Sequence, residues 1–90
     1  MSWKIDFDPA AVRELRKLDR PVAKRILDFL HNRLASIDDP RSIGEALKGD
    51  KLGGLWRYRV GDCRIIASIK DSELQLLVIR VGHRKDVYKQ

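Results

Sequence analysis

Leu55-Trp56-Arg57-Tyr58-Arg59-Val60-Gly61-Asp62-Cys63-Arg64-Ile65-Ile66-Ala67-Ser68-Ile69 reads as two alternating strands around a turn. Gly61-Asp62 is a two-residue hairpin signal. It sets Val60 opposite Cys63, Arg59 opposite Arg64, Tyr58 opposite Ile65 and Arg57 opposite Ile66. Directly opposed residues share a face, and the face alternates at each step. One face then carries Trp56, Tyr58, Val60, Cys63, Ile65, Ala67 and Ile69, which is a core. The other carries Arg57, Arg59, Arg64, Ile66 and Ser68. Like charges set directly opposite on a sheet are destabilising, so stability gives no reason to put Arg59 against Arg64. A bound anion does.

Downstream, the chain turns at Asp71-Ser72 into a third strand over 73–81. Continuing the register adds Gln75, Leu77, Ile79 and Val81 to the arginine face. An apolar patch of Ile66, Leu77, Ile79 and Val81 rimmed by cations marks a partner surface. Gly82 then lets the chain turn, and a short tail folding back brings His83, Arg84, Lys85 and Tyr88 near the same face. Arginine keeps its proton near neutral pH, so Arg57, Arg59, Arg64 and Arg84 bind phosphate and stabilise developing charge. Proton transfer falls to His83, Tyr88 or a carboxylate such as Glu45. Lys48, Lys51 and Lys85 are further candidate contacts for a polyanionic partner. Cys63 lies on the core face and packs there, and His31 is a surface residue.

Upstream, Trp3-Lys4-Ile5-Asp6-Phe7 alternates as a first strand. Asp8-Pro9 starts a helix with a capping carboxylate and proline in the first turn. Asp19-Arg20-Pro21 starts a second, where Val22, Ile26, Leu30 and Leu34 recur at fourfold spacing. A helical hairpin over about 9–18 and 21–36 follows, and residues 41–54 form the longest loop, with a single turn near 43–47. The expected order is β-α-α-β-β-β, an α+β fold with the hairpin on one face of an antiparallel sheet and an open basic face on the other.

The 90 residues form one domain over 1–90, because so short a chain cannot support two cores. A hydrophobic fraction of 43% excludes global disorder, and a single cysteine excludes an intrachain disulfide. No metal or other cofactor is expected. No apolar run reaches membrane-spanning length, so no membrane partner is expected. The N-terminus lacks a basic stretch followed by an apolar one, which reads as a cytosolic protein. Lys and Arg number eight against seven Asp and Glu in residues 1–40, and eleven against six in 41–90, so +5 of the net +6 lies in the second part. That asymmetry points to a polyanionic partner.

The run from Leu55 to Ile66, followed by Val81-Gly82-His83-Arg84-Lys85-Asp86-Val87-Tyr88, resembles the RelE toxins of bacterial toxin–antitoxin systems. Ile5-Asp6-Phe7-Asp8 and Arg16-Lys17-Leu18 fit as well, so the likeness spans essentially the whole chain. The resemblance implies an mRNA interferase, an endoribonuclease that enters the ribosomal A site and cuts the codon there without a metal. The message's own 2′-OH attacks the adjacent phosphate, leaving a 2′,3′-cyclic phosphate and a free 5′-OH. Family residues map onto Arg57, Arg59, Arg64, Arg84 and Tyr88. Arg59, Arg64 and Arg84 fall to the scissile phosphate, and Tyr88 to base stacking or proton transfer. The best-known members carry lysines where this chain has Arg57 and Arg59, and arginine is a poor base. Glu45-Ala46-Leu47-Lys48 is similar to the YoeB-like branch, which implies Glu45 as base and His83 as acid. The family also implies an acidic, RelB-like antitoxin on Ile66, Leu77, Ile79 and Val81, with ribosome and mRNA as the other partners. A ParE-like branch shares the fold but inhibits DNA gyrase and cuts no RNA.

Overall fold

The computed structural model describes residues 2–48 and 53–83. The chain runs β1 (Lys4–Phe7), α1 (Pro9–Lys17), α2 (Arg20–Asp28), β2 (Glu45–Ala46), β3 (Leu55–Val60), β4 (Cys63–Lys70) and β5 (Gln75–His83). Asp8 caps α1 as the sequence predicts, its side chain accepting from the Ala10 N–H at 2.9 Å. Asp19 occupies the corresponding position before α2 but makes no side-chain capping bond. α2 continues through a wider π-type turn (Phe29–Arg33) into a 3-10 turn (Leu34–Ser36), so the expected second helix is present as three successive pieces.

One mixed sheet orders the strands β1-β5-β4-β3-β2. β3, β4 and β5 form the expected antiparallel meander, but β1 lies parallel on the outer edge of β5. The wholly antiparallel sheet expected from sequence is corrected on that point. Turn residues fix only neighbouring pairs; the place of β1 follows from long-range packing of the helical hairpin. Gly61, with φ of +59°, makes the β3–β4 turn in a conformation that favours glycine.

The helices cover one face of the sheet. Ala11, Ile26, Leu30 and Leu34 pack with Tyr58, Cys63, Ile65, Ala67, Leu76 and Val78, all buried. Each fully buried aliphatic side chain contributes about 1.5–3 kcal/mol, so this layer holds the hairpin to the sheet. Among the described residues no helix is long and apolar enough to cross a membrane.

The β3–β4 register is the predicted one, with Arg59 opposite Arg64 and Val60 opposite Cys63. The β4–β5 register departs from expectation. Ala67 pairs with Val78 but Ile66 pairs with Arg80, leaving Ile79 as an extra residue in a bulge. The shift reverses the facing of everything beyond it. Val81 therefore lies opposite Ile65, fully buried in the helix-side core, rather than on the arginine face. His83 lies opposite Cys63, again on the helix side, and Gly82 lies opposite Arg64.

Glu14 of α1 secures the bulge. β1 accompanies β5 only as far as Val78, so among the described residues the following β5 backbone has no strand beside it on that edge. The Glu14 carboxylate accepts from the Val81 N–H at 3.0 Å and from the Arg80 Nη2 at 3.0 Å. It supplies the acceptor that a neighbouring strand would otherwise provide.

Candidate nucleic-acid interface

The hairpin sets Arg57, Arg59, Arg64 and Ile66 on the sheet face away from the helices, as their register requires. They are not equally accessible. Arg59 is exposed, whereas Arg64 is only 6% exposed and donates from Nη1 to the Cys63 carbonyl at 3.1 Å. Ile66 is 3% exposed, and Leu77 and Ile79 are half-buried. The expected open apolar patch is therefore smaller: β4 is a central strand whose residues on this face have neighbours on both sides, and Val81 has left for the core.

β2 brings a carboxylate to this face. Glu45 pairs directly with Arg57 across the ladder, and their side chains form an ion pair. The preceding loop is held at several points. The Asp39 side chain accepts from the Arg41 N–H at 3.0 Å and starts a 3-10 turn over Pro40–Ile43. The Tyr58 hydroxyl, buried beneath, donates to the Pro40 carbonyl at 2.9 Å. Burial pushes the Tyr58 phenol up to about 12, so it remains a donor. Gly44 passes so close over the Tyr58 ring that a Cβ there would lie 2.8 Å from Cε1. Arg41 grips Asp71 in the β4–β5 turn with two bonds, at 2.9 and 2.6 Å, and lies 6.0 Å from the centre of the Trp56 ring. Together these contacts fix the entry to β2, and so the position of Glu45.

His83 stands elsewhere. It lines one groove with Lys17, Leu18, Val22 and Val81, and a smaller pocket with Arg25, Val60, Asp62 and Cys63. Neither holds Glu45, Arg57 or Arg59. The expectation that His83 joins the arginine face is corrected by the same bulge that turns Val81 inward. Burial pushes the Cys63 thiol up, away from the thiolate form, in keeping with a packing role. Lys48, two residues past β2, is exposed. Arg84, Lys85, Tyr88 and Lys51 lie outside the described residues.

Sequence reasoning missed two contributors. Arg33, at the end of the π-type turn, lines a groove at the β3 edge together with Glu45, Arg57 and Arg59. Its sequence signal is its place four residues after Phe29, on the same side of the helical path. The other is Glu14, whose partner Arg80 is 66 residues away and carries no local signal.

Residues 5–88 match the family model described as ParE toxin of type II toxin-antitoxin system, parDE. The chain is 28% identical to Toxin RelG of Mycobacterium tuberculosis over 90 residues, the full length of both. It is similar to a chain of the toxin–antitoxin complex RelBE2 of the same organism, with 27% identity, a TM-score of 0.84, and coverage of 96% of this chain and 95% of that one. The isolated RelE toxin of E. coli aligns at 25% identity and a TM-score of 0.70, covering 97% and 92%.

Proposed function

The chain belongs to the ParE toxin family of type II toxin–antitoxin systems, and from that premise we propose that it is a ribosome-dependent mRNA interferase. The observation that carries this reading is the juxtaposition of Arg59 and Arg64 on the helix-free face, beside the Glu45–Arg57 pair. The full-length similarity to Toxin RelG supports it.

The chemistry follows from what these groups do. Arg59 and Arg64 hold the phosphodiester and stabilise the charge that develops on its oxygens as the ribose 2′-OH attacks. The 2′-oxygen forms a bond to phosphorus and the 5′-oxygen leaves, giving a 2′,3′-cyclic phosphate and a 5′-OH. Glu45 takes the 2′-OH proton, and Arg57 orients its carboxylate. The leaving oxygen gains a proton from Tyr88 or from water. Arg84 adds a further phosphate contact, Tyr88 stacks on a base, and Lys48, Lys51 and Lys85 track the RNA backbone. His83 has no place in this scheme.

A RelB-like acidic antitoxin, the partner present in the solved RelBE complexes, lies across the same face in this proposal. The half-buried Leu77 and Ile79 receive its apolar side chains and the arginines its carboxylates, while Ile66 packs beneath them. The cell compartment follows: a ribosome-directed toxin acts in the cytoplasm.

The name of the matching family model favours a second reading, a ParE-like inhibitor of DNA gyrase. Primer extension on a translated message separates the two. Codon-positioned cuts that disappear in Arg59→Ala support the interferase. An uncut message together with inhibited DNA supercoiling supports the gyrase inhibitor.

A further inference from the structure

β2 covers only Trp56 and Arg57 of β3, so among the described residues the edge from Tyr58 to Val60 has no strand beside it. A groove of about 370 Å³ opens there, large enough for a small ligand. Phe29, Arg33, Ile43, Glu45, Arg57 and Arg59 line it. Phe29 is tilted against Tyr58 with ring centres 6.1 Å apart, which anchors the helical path to the sheet. Arg33 follows one turn later and is exposed. Arg57 is engaged by Glu45, and among the described residues neither Arg33 nor Arg59 has an ion pair. Ile43, 37% exposed, adds an apolar wall.

We propose that this groove is a second phosphodiester subsite, in which Arg33 holds the RNA backbone phosphate next to the one that is cut and held by Arg59, with the flanking ribose and base against Phe29 and Ile43. The inference rests on the interferase reading and extends its RNA path around the edge of β3. Two unpaired guanidinium groups flanking an apolar wall suit an alternating phosphate and nucleoside better than a run of carboxylates. Arg33 is a binding residue here, and the chemistry at the scissile phosphate does not depend on it.

The test is fluorescence anisotropy with a short RNA carrying a 2′-deoxy nucleotide at the cleavage position, titrated with the full chain across a salt series. Loss of one phosphate contact lowers the slope of log K against log salt by about 0.7 for single-stranded RNA. Arg33→Gln is expected to show that drop and an affinity several-fold weaker at low salt, while Lys24→Gln, exposed on α2, keeps the wild-type slope. In ribosome-programmed cleavage, Arg33→Gln is expected to raise the half-saturating toxin concentration and leave the single-turnover rate at saturation unchanged. A wild-type slope and affinity in Arg33→Gln overturn the subsite alone, whatever that variant does to antitoxin binding. A wild-type chain that neither binds nor cuts RNA overturns the interferase reading as well. Because Arg33 is exposed, matching melting curves for wild type and variant exclude a folding defect.

Discussion

Arg59 and Arg64 face each other across the β3–β4 ladder, one exposed and the other 6% exposed with its Nη1 bonded to the Cys63 carbonyl. The pair thus combines an exposed donor with a buried donor that is hydrogen-bonded to the backbone. The two substitutions should differ in kind. Arg59→Ala should lower message cleavage by about 10²–10³, the range for loss of one charge-stabilising donor, without changing the denaturation midpoint. Arg64→Ala should lower both, with stability falling by about 1–3 kcal/mol as a buried, charge-assisted hydrogen bond is lost. Urea denaturation beside single-turnover cleavage checks the pair. Equal stability losses in both variants would contradict the difference in burial.

His83 belongs to the helix-side groove. His83→Gln should keep the single-turnover cleavage rate within about threefold of wild type, well short of the 10²–10⁴ expected for a general acid. Glu45→Gln should lower it by about that larger factor. A large loss in His83→Gln, with Glu45→Gln unaffected, would reverse these assignments.

Gly44 and Tyr58 position β2. Gly44→Ala puts a methyl group 2.8 Å from a buried ring, and overpacking of this kind costs about 1–3 kcal/mol. The φ of Gly44, −109°, suits any residue, so the effect is steric. Cleavage should fall as the Glu45–Arg57 pair shifts. Denaturation and cleavage assays on the same variant check both outcomes, and an unperturbed protein would contradict the close packing.

Tyr58 also sets an alkaline limit. Burial raises its folded-state value from 10.0 to about 12, so between those values the unfolded chain has lost a proton that the folded chain still holds. Stability from this group is complete below pH 10 and declines as pH rises toward 12. Tyr58→Phe should remove that alkaline decline and cost about 0.5–1.5 kcal/mol at neutral pH through the lost bond to Pro40. Urea midpoints from pH 7 to 11.5 provide the measurement; an unchanged alkaline slope in Tyr58→Phe would refute it.

The central hairpin was legible because its information is local: Gly61-Asp62 fixes the turn, and alternation fixes both faces. The helix starts at Asp8-Pro9 and Asp19-Arg20-Pro21 were legible for the same reason. The bulge at Ile79–Arg80 was not. No glycine or proline stands at Val78, Ile79 or Arg80 to mark it, and the residue that satisfies it, Glu14, comes from α1. That one hidden residue misassigned both Val81 and His83. The parallel place of β1 and the two-residue β2 likewise depend on distant partners, Gln75–Val78 and Trp56–Arg57. The arginine face was read correctly from register, but its accessibility was not, because burial on a central strand depends on what flanks it.

The most direct test of the account replaces the ribose at the cleavage position of an A-site codon with 2′-deoxyribose and measures cutting on programmed ribosomes. The arginine face is expected to cut the all-ribose message to a 2′,3′-cyclic phosphate and to leave the 2′-deoxy message intact. Cutting of the 2′-deoxy message, or a product ending in a 3′-OH, would contradict attack by the message's own hydroxyl on a phosphate held by Arg59 and Arg64.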